Sequence, residues 1–418
     1  MVITIFGLGF VGLTTALGFA EYGHKIYGIE TDEERLYTVR SGSLPFLEPG
    51  LDEALARHLQ RDFFPIALPD LEEAIAESDC IYYCVGTPYG KDGQAELSYL
   101  FEAIDQTLAR IRDERFRVLV VKSTVPPSTC AKQIVPYLED KGVKLGDKIG
   151  LANNPEFLRE GHCWDDFMGA DRIVLGVNDA QSQELLCRLY ASVDVPLFCV
   201  SLNTGEFIKY LSNALLATLI SFSNEMSMVA DTVGDIDVAR AFRILHLDKR
   251  WGGCDMASYV YPGCGYGGYC LPKDTNALYA VLKTMGFEAN LLREVIVVND
   301  TMPQVIVRRI DQAVKGNKQV KLGFLGLSFK PGSDDVRDAP SAKIIRYLLD
   351  EGYSNILAYD PVANEEFKKH YTLTIDYVDQ YPKILEQADA FVITTAWPEF
   401  RHIESETTKP VVDCRYML

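Results

Sequence analysis

The sequence predicts an α/β protein in which two Rossmann-like, doubly wound parallel-sheet domains are joined by a long central helix and a helical middle domain. Three observations predict it. A strand, tight turn, helix and strand follow one another at the start of the chain; the same order restarts near residue 320; and from residue 203 to about residue 318 the strand signal gives way to amphipathic helical patterns. The expected domains are 1–202, 203–317 and 318–418. A length of 418 residues agrees, since a single core rarely grows beyond roughly 250–300 residues.

Element by element, the chain opens with VITIF at 2–6, the turn Gly7-Leu8-Gly9-Phe10-Val11-Gly12, an apolar-periodic stretch to Gly23, and KIYGIE at 25–30. Apolar runs mark further strands at 80–85, 117–122, 149–152 and 172–177, with helical patterns between, which describes a parallel sheet covered on both faces. Asn203 opens the central helix, which runs to about Val233, and Glu206 at its third helical position is expected to form a partial capping box. In the C-terminal part, VKLGFLGL at 320–327 echoes VITIFGLG, YDP at 359–361 ends a strand as GIE does at 28–30, and ADAFVITTA at 388–396 echoes SDCIYYCVG at 78–86.

Composition narrows the function classes. With 48% hydrophobic and 24% charged residues this is an ordinary globular chain. The net charge of -18 argues against nucleic acid and anionic membranes as partners, so a phosphate site must rely on a few local cations. The ten cysteines include no C-x-x-C pair, which fits reduced thiols in the cytoplasm rather than a disulfide framework or a metal site. The first twenty residues are uncharged, but no Lys or Arg precedes them and glycines interrupt them, so a signal peptide or membrane span is not expected.

The glycine turn follows a strand, opens a helix and is followed by Glu30 at the end of the next strand, the context of a dinucleotide site. Gly7 permits the turn, Gly9 lets the backbone approach a pyrophosphate and Gly12 allows close helix–strand packing, while the helix N-terminus supplies N–H donors. Glu30 is placed to accept from a ribose 2′-hydroxyl and to repel a 2′-phosphate, which favours NAD over NADP. The second half keeps Gly326 but lacks the other glycines, so it is not expected to hold a dinucleotide in the same way.

The most informative stretch runs from Pro262 to Asp274. Its glycines at 263, 265, 267 and 268 make a backbone able to wrap a ligand, and Pro272 marks the first turn of a helix ending near Gly286. Cys270 then sits at a helix start with Lys273 one turn away, and both features favour a thiolate nucleophile. A free cysteine is more often a small buried hydrophobe; the glycines and the lysine tip the balance. NNPEFLRE at 153–160 places Pro155 at a helix start, with Glu156 and Glu160 on one helical face, a pattern the helix dipole alone can explain. Lys209 and Asn213 are likewise four apart on the central helix.

GYGGYCLPKD at 265–274 resembles the catalytic-cysteine signature of the UDP-glucose/GDP-mannose dehydrogenase family, and its Pro-Lys-Asp ending is similar to that of the UDP-glucose members. The resemblance extends in order over essentially the whole chain. VGTP at 85–88 and KSTVP at 122–126 resemble two cofactor loops, which implies NAD contacts from Thr87, Ser123 and Thr124, with Thr124 also in the catalytic set. Phe10, Val11, Lys273 and Arg35, the last near the adenosine ribose, join the implied cofactor contacts. Glu156 is implied beside the reacting C6 atom, with Phe157 and Leu158 as substrate contacts and Glu160 on the nicotinamide side. Lys209 and Asn213 resemble the family's catalytic lysine and its asparagine partner. LDKRWG at 247–252 resembles a loop whose arginine, here Arg250, reaches the hexose in a neighbouring subunit, which implies a homodimer with shared active sites. Tyr261, Gly265, Tyr266 and Gly267 are implied as substrate contacts. GLSFKPGSDDVRD resembles a uridine-side motif, with Lys330 on the substrate and Arg337 reaching the cofactor. Where the family has Asp-Gly-Arg near its C-terminus this chain reads Asp413-Cys414-Arg415; Arg415 is carried over as a substrate contact.

The resemblance implies a four-electron, NAD-dependent oxidation of the C6 hydroxyl of a UDP-hexose, UDP-glucose first, through a thioester on Cys270. Lys209 and Asn213, with a water held by Asp274, would stabilise the oxyanion, and Glu156 and Asp274 would assist hydrolysis. Two rivals are a two-electron hydroxy-acid dehydrogenase, which needs neither Cys270 nor the second Rossmann-like half, and an NAD-sensing module without turnover. GDP-mannose, UDP-galactose and UDP-N-acetyl-hexosamines are alternative substrates.

Overall fold

The computed structural model describes residues 1–88, 90, 94–248 and 261–418, and the chain separates into two compact units, Met1–Ser212 and Asn213–Leu418. Each follows from its strand pattern.

In the first unit eight strands form one sheet: β1 (Val2–Phe6), β2 (Lys25–Ile29), β3 (Phe63–Ile66), β4 (Cys80–Tyr83), β5 (Arg117–Val121), β6 (Ile149–Asn153), β7 (Ile173–Val177) and β8 (Leu197–Val200). Their order is β3-β2-β1-β4-β5-β6-β7-β8, whose first six members reproduce the doubly wound dinucleotide-binding arrangement. Alternate side chains feed two cores: Ile3 and Ile5 pack with Leu13, Leu17 and Phe19 on one face, and Phe6 with Leu71, Ile81 and Leu100 on the other. Both faces are therefore apolar, as a sheet covered by helices requires.

Two differences from the sequence reading lie here. The sheet is mixed rather than wholly parallel, because β7 pairs antiparallel with β6 through Ala152–Val177 and Asn153–Gly176. A strand buried on both faces has the same apolar pattern in either direction, so polarity was not legible. The long helix Leu202–Val233 is capped by Ser201, whose Oγ accepts the Thr204 N–H at 3.3 Å, and not by Asn203. Glu206 closes no capping box; its carboxylate accepts the Ser128 and Cys130 N–H groups at 2.6 and 2.7 Å and so holds a loop in which Ser128 has φ 76°.

The second unit carries an all-parallel sheet of β9 (Leu322–Leu325), β10 (Ile356–Tyr359), β11 (Asp376–Tyr377), β12 (Ala390–Ile393) and β13 (Val411–Asp413), in the order β11-β10-β9-β12-β13. Leu322 and Phe324 face one core with Met302, Ile306 and Ile310 of the helix Asn290–Ala313; Leu325 faces the other with Phe391 and Ile393. The turn after β9 differs from the turn after β1. A Cβ on Gly326 would stand 2.4 Å from Thr395 Cβ, and the next helix, Pro340–Asp350, begins only after a long loop, so no helix N-terminus follows the turn directly. Among the described residues, those between the two sheets form the helices Leu202–Val233, Val238–Leu245, Cys270–Thr284 and Asn290–Ala313. No helix of the described residues is long and apolar enough to cross a membrane.

Candidate active site

In the first unit the glycine turn is built as the sequence predicts. Gly7 sits at φ 89°, and the helix Phe10–Glu21 starts directly after Gly9. A Cβ on Gly12 would stand 1.8 Å from the Gly7 carbonyl oxygen, so only glycine lets helix and turn meet, whereas a Cβ on Gly9 would meet nothing within 4 Å. First-turn N–H groups, those of Phe10 and Val11 among them, lie outside the intrahelical ladder at the positive end of the helix dipole. An open approach beside such donors fits a pyrophosphate. Glu30 lies buried beside the turn: its Oε2 accepts the Leu8 N–H at 3.0 Å and Arg35 Nη1 at 3.2 Å, and its Oε1 accepts the Thr31 and Asp32 N–H groups at 2.8 and 3.0 Å. Four donors thus fix the carboxylate at the end of β2.

Two loops continue this edge. Thr87 Oγ1 donates to the Thr124 carbonyl at 2.8 Å, and Ser123 Oγ donates to the Val85 carbonyl at 2.6 Å, so VGTP and KSTVP are tied into one rim.

Beyond β6 the structure corrects the helical reading of residues 153–160. Residues 154–159 form no helix. Pro155 drives the preceding residue to an extended conformation, and Asn154 is held there: its N–H donates to the Val121 carbonyl and its Nδ2 to the Val174 carbonyl, both at 2.9 Å. Glu156 instead turns on itself, Oε2 accepting the Leu158 N–H at 2.7 Å, and its Oε1 pairs with Lys209 Nζ at 2.8 Å. Both side chains are only 6% exposed. Burial pushes the Glu156 carboxyl up, but Lys209 pulls it down further, leaving it below the ordinary carboxylate value. The Phe157 ring lies under this ammonium at 5.9 Å and under the Arg172 guanidinium at 4.2 Å. Glu160 lies half-buried at the far end of the loop, not one helical turn from Glu156.

In the second unit Cys270 is the first residue of the helix Cys270–Thr284 and is half-buried, whereas Cys80, Cys130, Cys163, Cys264 and Cys414 are buried. One turn on, Asn213 Nδ2 donates to Asp274 Oδ2 and Lys273 Nζ pairs with Asp274 Oδ1, each at 2.5 Å. All three are nearly inaccessible. Lys273 is therefore no lone cation beside the thiol. Burial pulls its ammonium down, while Asp274 and Cys270 push it up and prevail.

The glycines before Cys270 are packed against protein: Cβ atoms at 263, 265, 267 and 268 would meet Arg415, Asn299, Asp338 and Phe329 at 3.0 Å or less. They let the turn pack closely on these neighbours. Asn299 Oδ1 accepts the Tyr266 N–H at 2.7 Å, and the Arg337 carbonyl accepts the Gly268 N–H at 2.8 Å. The Arg337 guanidinium forks onto Asp335 and stacks over the Tyr269 ring at 4.4 Å. Lys330 Nζ lies 5.4 Å from the Phe329 ring, and Tyr261 OH donates to the Tyr416 carbonyl at 2.9 Å. The unexpected Cys414 is buried and fills core space, and the Arg415 N–H is tied to Asp413 Oδ1 at 2.9 Å. Arg250 lies outside the described residues.

Sequence reasoning missed three polar anchors. Glu48 is buried and accepts the Gly161 and Cys163 N–H groups at 2.9 and 2.7 Å; nothing local announces a partner so far along the chain. Asp360 accepts from the Leu327 and Ser328 N–H groups at 2.7 and 3.1 Å, the counterpart of Glu30 that YDP already hinted at. The third is Lys122, buried beside Asn154. No group of His, Cys, Asp or Glu among the described residues could hold a metal ion.

Three family models match the chain in order: the NAD binding domain of the UDP-glucose/GDP-mannose dehydrogenase family over residues 1–194, its central domain over 203–301 and its UDP binding domain over 323–418. The chain is 34% identical to a UDP-glucose 6-dehydrogenase of Rickettsia bellii, covering 100% of this chain and 96% of that one. Among solved structures it is similar to a UDP-glucose dehydrogenase from Pyrobaculum islandicum, with 35% identity, a TM-score of 0.91 and coverage of 100% and 94%. A UDP-D-ManNAc dehydrogenase from Pyrococcus horikoshii gives 26% identity, a TM-score of 0.86 and coverage of 100% and 96%.

Proposed function

The chain belongs to the UDP-glucose/GDP-mannose dehydrogenase family, with that family's NAD binding and UDP binding domains, and from this premise we propose that it oxidises the C6 hydroxyl of UDP-glucose to the carboxylate of UDP-glucuronate through a thioester on Cys270. The observation that carries the reading is a half-buried thiol at a helix N-terminus, backed by the Asn213–Asp274–Lys273 network.

The chemistry removes four electrons. The glycine turn, Glu30, Arg35, Thr87, Ser123 and Thr124 are the residues that would hold NAD, which would supply the hydride acceptor for each of two rounds. In the first round a base takes the hydroxyl proton as hydride leaves C6, giving the aldehyde. The Cys270 thiolate then adds to the aldehyde carbon, and the positive end of its helix stabilises the thiolate until it does. The tetrahedral adduct loses the second hydride and becomes a thioester. Water adds to the carbonyl, the C–S bond breaks, and acid and thiolate part. Lys209 and Asn213 stabilise negative charge on the C6 oxygen, and Glu156 and Asp274 steer the water and its protons. Lys330, Arg337 and Arg415 serve the nucleotide and cofactor side, and Tyr261 and Tyr266 the sugar.

UDP-glucose is favoured over other nucleotide sugars by the Pro-Lys-Asp ending and by higher identity to the UDP-glucose relatives than to the UDP-D-ManNAc one. A cytoplasmic homodimer is part of the proposal, with Arg250 reaching the neighbouring subunit's hexose. In support, the helix Leu202–Val233 exposes Phe207, Leu211, Leu215 and Phe222, a stripe at helical spacing suited to a second copy.

A panel of UDP- and GDP-sugars assayed for reduced-cofactor release tests the assignment. UDP-glucose should give the highest kcat/KM, and NADP should serve at least about 100-fold less well than NAD because Glu30 repels a 2′-phosphate. A better rate with GDP-mannose or an N-acetyl-hexosamine, or equal rates with NAD and NADP, would overturn the corresponding part.

A further inference from the structure

Lys122 stands at the end of β5, 4% exposed, and no role given above uses it. Its ammonium donates to Asn154 Oδ1 at 2.9 Å and, at 3.5 Å, to the Asn154 carbonyl. Asn154 Oδ1 also accepts the Tyr190 hydroxyl at 2.7 Å, while its two N–H groups are tied to β5 and β7, so the amide is a fixed mount. Among the described residues Lys122 makes no ion pair. A buried ammonium with only a neutral partner is expensive, and an apolar side chain of similar length would be the more stable choice. Its charge therefore needs a reason other than stability.

Glu156 follows Asn154 by two residues and is paired with Lys209. Lys122 thus adds a further cationic side chain beside the Glu156–Lys209 pair, in a setting where water screens little. Resting on the catalytic reading of Glu156 and Lys209, we infer that Lys122 is a positioning residue: mounted on Asn154, it keeps the loop bearing Glu156 in place and adds positive potential at the Glu156–Lys209 pair, where negative charge develops on the oxidised carbon's oxygen. The charged and titratable groups facing Lys122 are the Cys84 thiol after β4, which burial pushes up to about 12, Glu156, Lys209, and Tyr190 through Asn154. Lys122 is itself pulled below the ordinary lysine value, by burial first and by Lys209 in addition, against the opposite pull of Cys84 and Glu156.

The test separates charge from hydrogen bonding. Lys122→Gln keeps donors for Asn154 and removes the charge, whereas Lys122→Arg keeps both. Without the cation Glu156 ionises less readily and Lys209 holds its proton more firmly, so both limbs of the pH–kcat profile should move to higher pH. The glutamine variant should lose about tenfold in kcat with KM for sugar nucleotide and NAD unchanged, while the arginine variant keeps the wild-type profile. Should the glutamine variant fold poorly, Asn154→Asp neutralises the same ammonium in place and should shift the limbs alike. Unmoved limbs in the folded variants, or an equal loss in glutamine and arginine variants, would reduce Lys122 to a brace and overturn the inference. Glu156→Gln run in parallel tells the two failures apart: if it is fully active, the catalytic reading has failed; if it is impaired while Lys122→Gln behaves as wild type, only the present inference has.

Discussion

Cys270→Ser is expected to abolish formation of the sugar acid, by on the order of 1,000-fold or more, while NAD binding and thermal stability stay near wild type. A serine hydroxyl lacks the thiolate's nucleophilicity at neutral pH, and Cys270 is half-buried at the first position of its helix, so the substitution leaves no cavity in a core. The loss should fall on kcat, and any ester trapped on Ser would appear as added mass of the sugar nucleotide on that peptide. Acid release at an undiminished rate would remove the thioester from the account.

Lys209→Met should reduce kcat by roughly 100- to 1,000-fold, the range for a lost oxyanion donor, and should also weaken the fold. In the wild type Glu156 has a depressed pKa, because Lys209 outweighs its burial. Such a carboxylate contributes stability that is fully present above its unfolded value, near 4.3, and is lost as pH falls through the depressed folded value. Without Lys209 the main opposition to burial is lost and the Glu156 pKa rises, although the Leu158 N–H and Lys122 still lower it, and a buried carboxylate deprived of its ion-pair partner destabilises the fold at neutral pH by about 3–5 kcal/mol. That deficit should shrink as pH falls through the raised pKa, where the group becomes neutral. Denaturant titrations of both proteins from neutral to mildly acidic pH check the sign, and a deficit independent of pH would contradict the assignment of charge within the pair.

The sequence announced the parts of the fold that depend on periodicity and local chemistry. Ile3 and Ile5 against Phe6, or Phe324 against Leu325, alternate into different cores, and the Gly7–Gly12 turn needs only residues close in sequence. Edge elements were missed. β3 reads FFPI, and Pro65 argues against a strand unless it lies at a sheet edge, which is where β3 sits; β8 is the other edge and only partly covered. Glu156 was legible as a candidate but its setting was not. Pro155 suggested a helix start, while the bonds that hold Asn154 extended come from Val121, Val174, Tyr190 and Lys122, each distant in sequence. Glu206 failed as a capping residue for the same reason, its partners Ser128 and Cys130 lying far back along the chain. Asp274 illustrates a half-success: its place one turn from Cys270 was readable, but its pairing with both Asn213 and Lys273 was not.

A covalent sulfur adduct is what would allow two oxidations of one carbon. Counting NADH formed per molecule of limiting UDP-glucose tests it most directly. Two NADH and one UDP-glucuronate are expected for each sugar nucleotide consumed, with no free aldehyde captured by an added amine trap. One NADH per substrate, with a ketone or aldehyde as the released product, would contradict it.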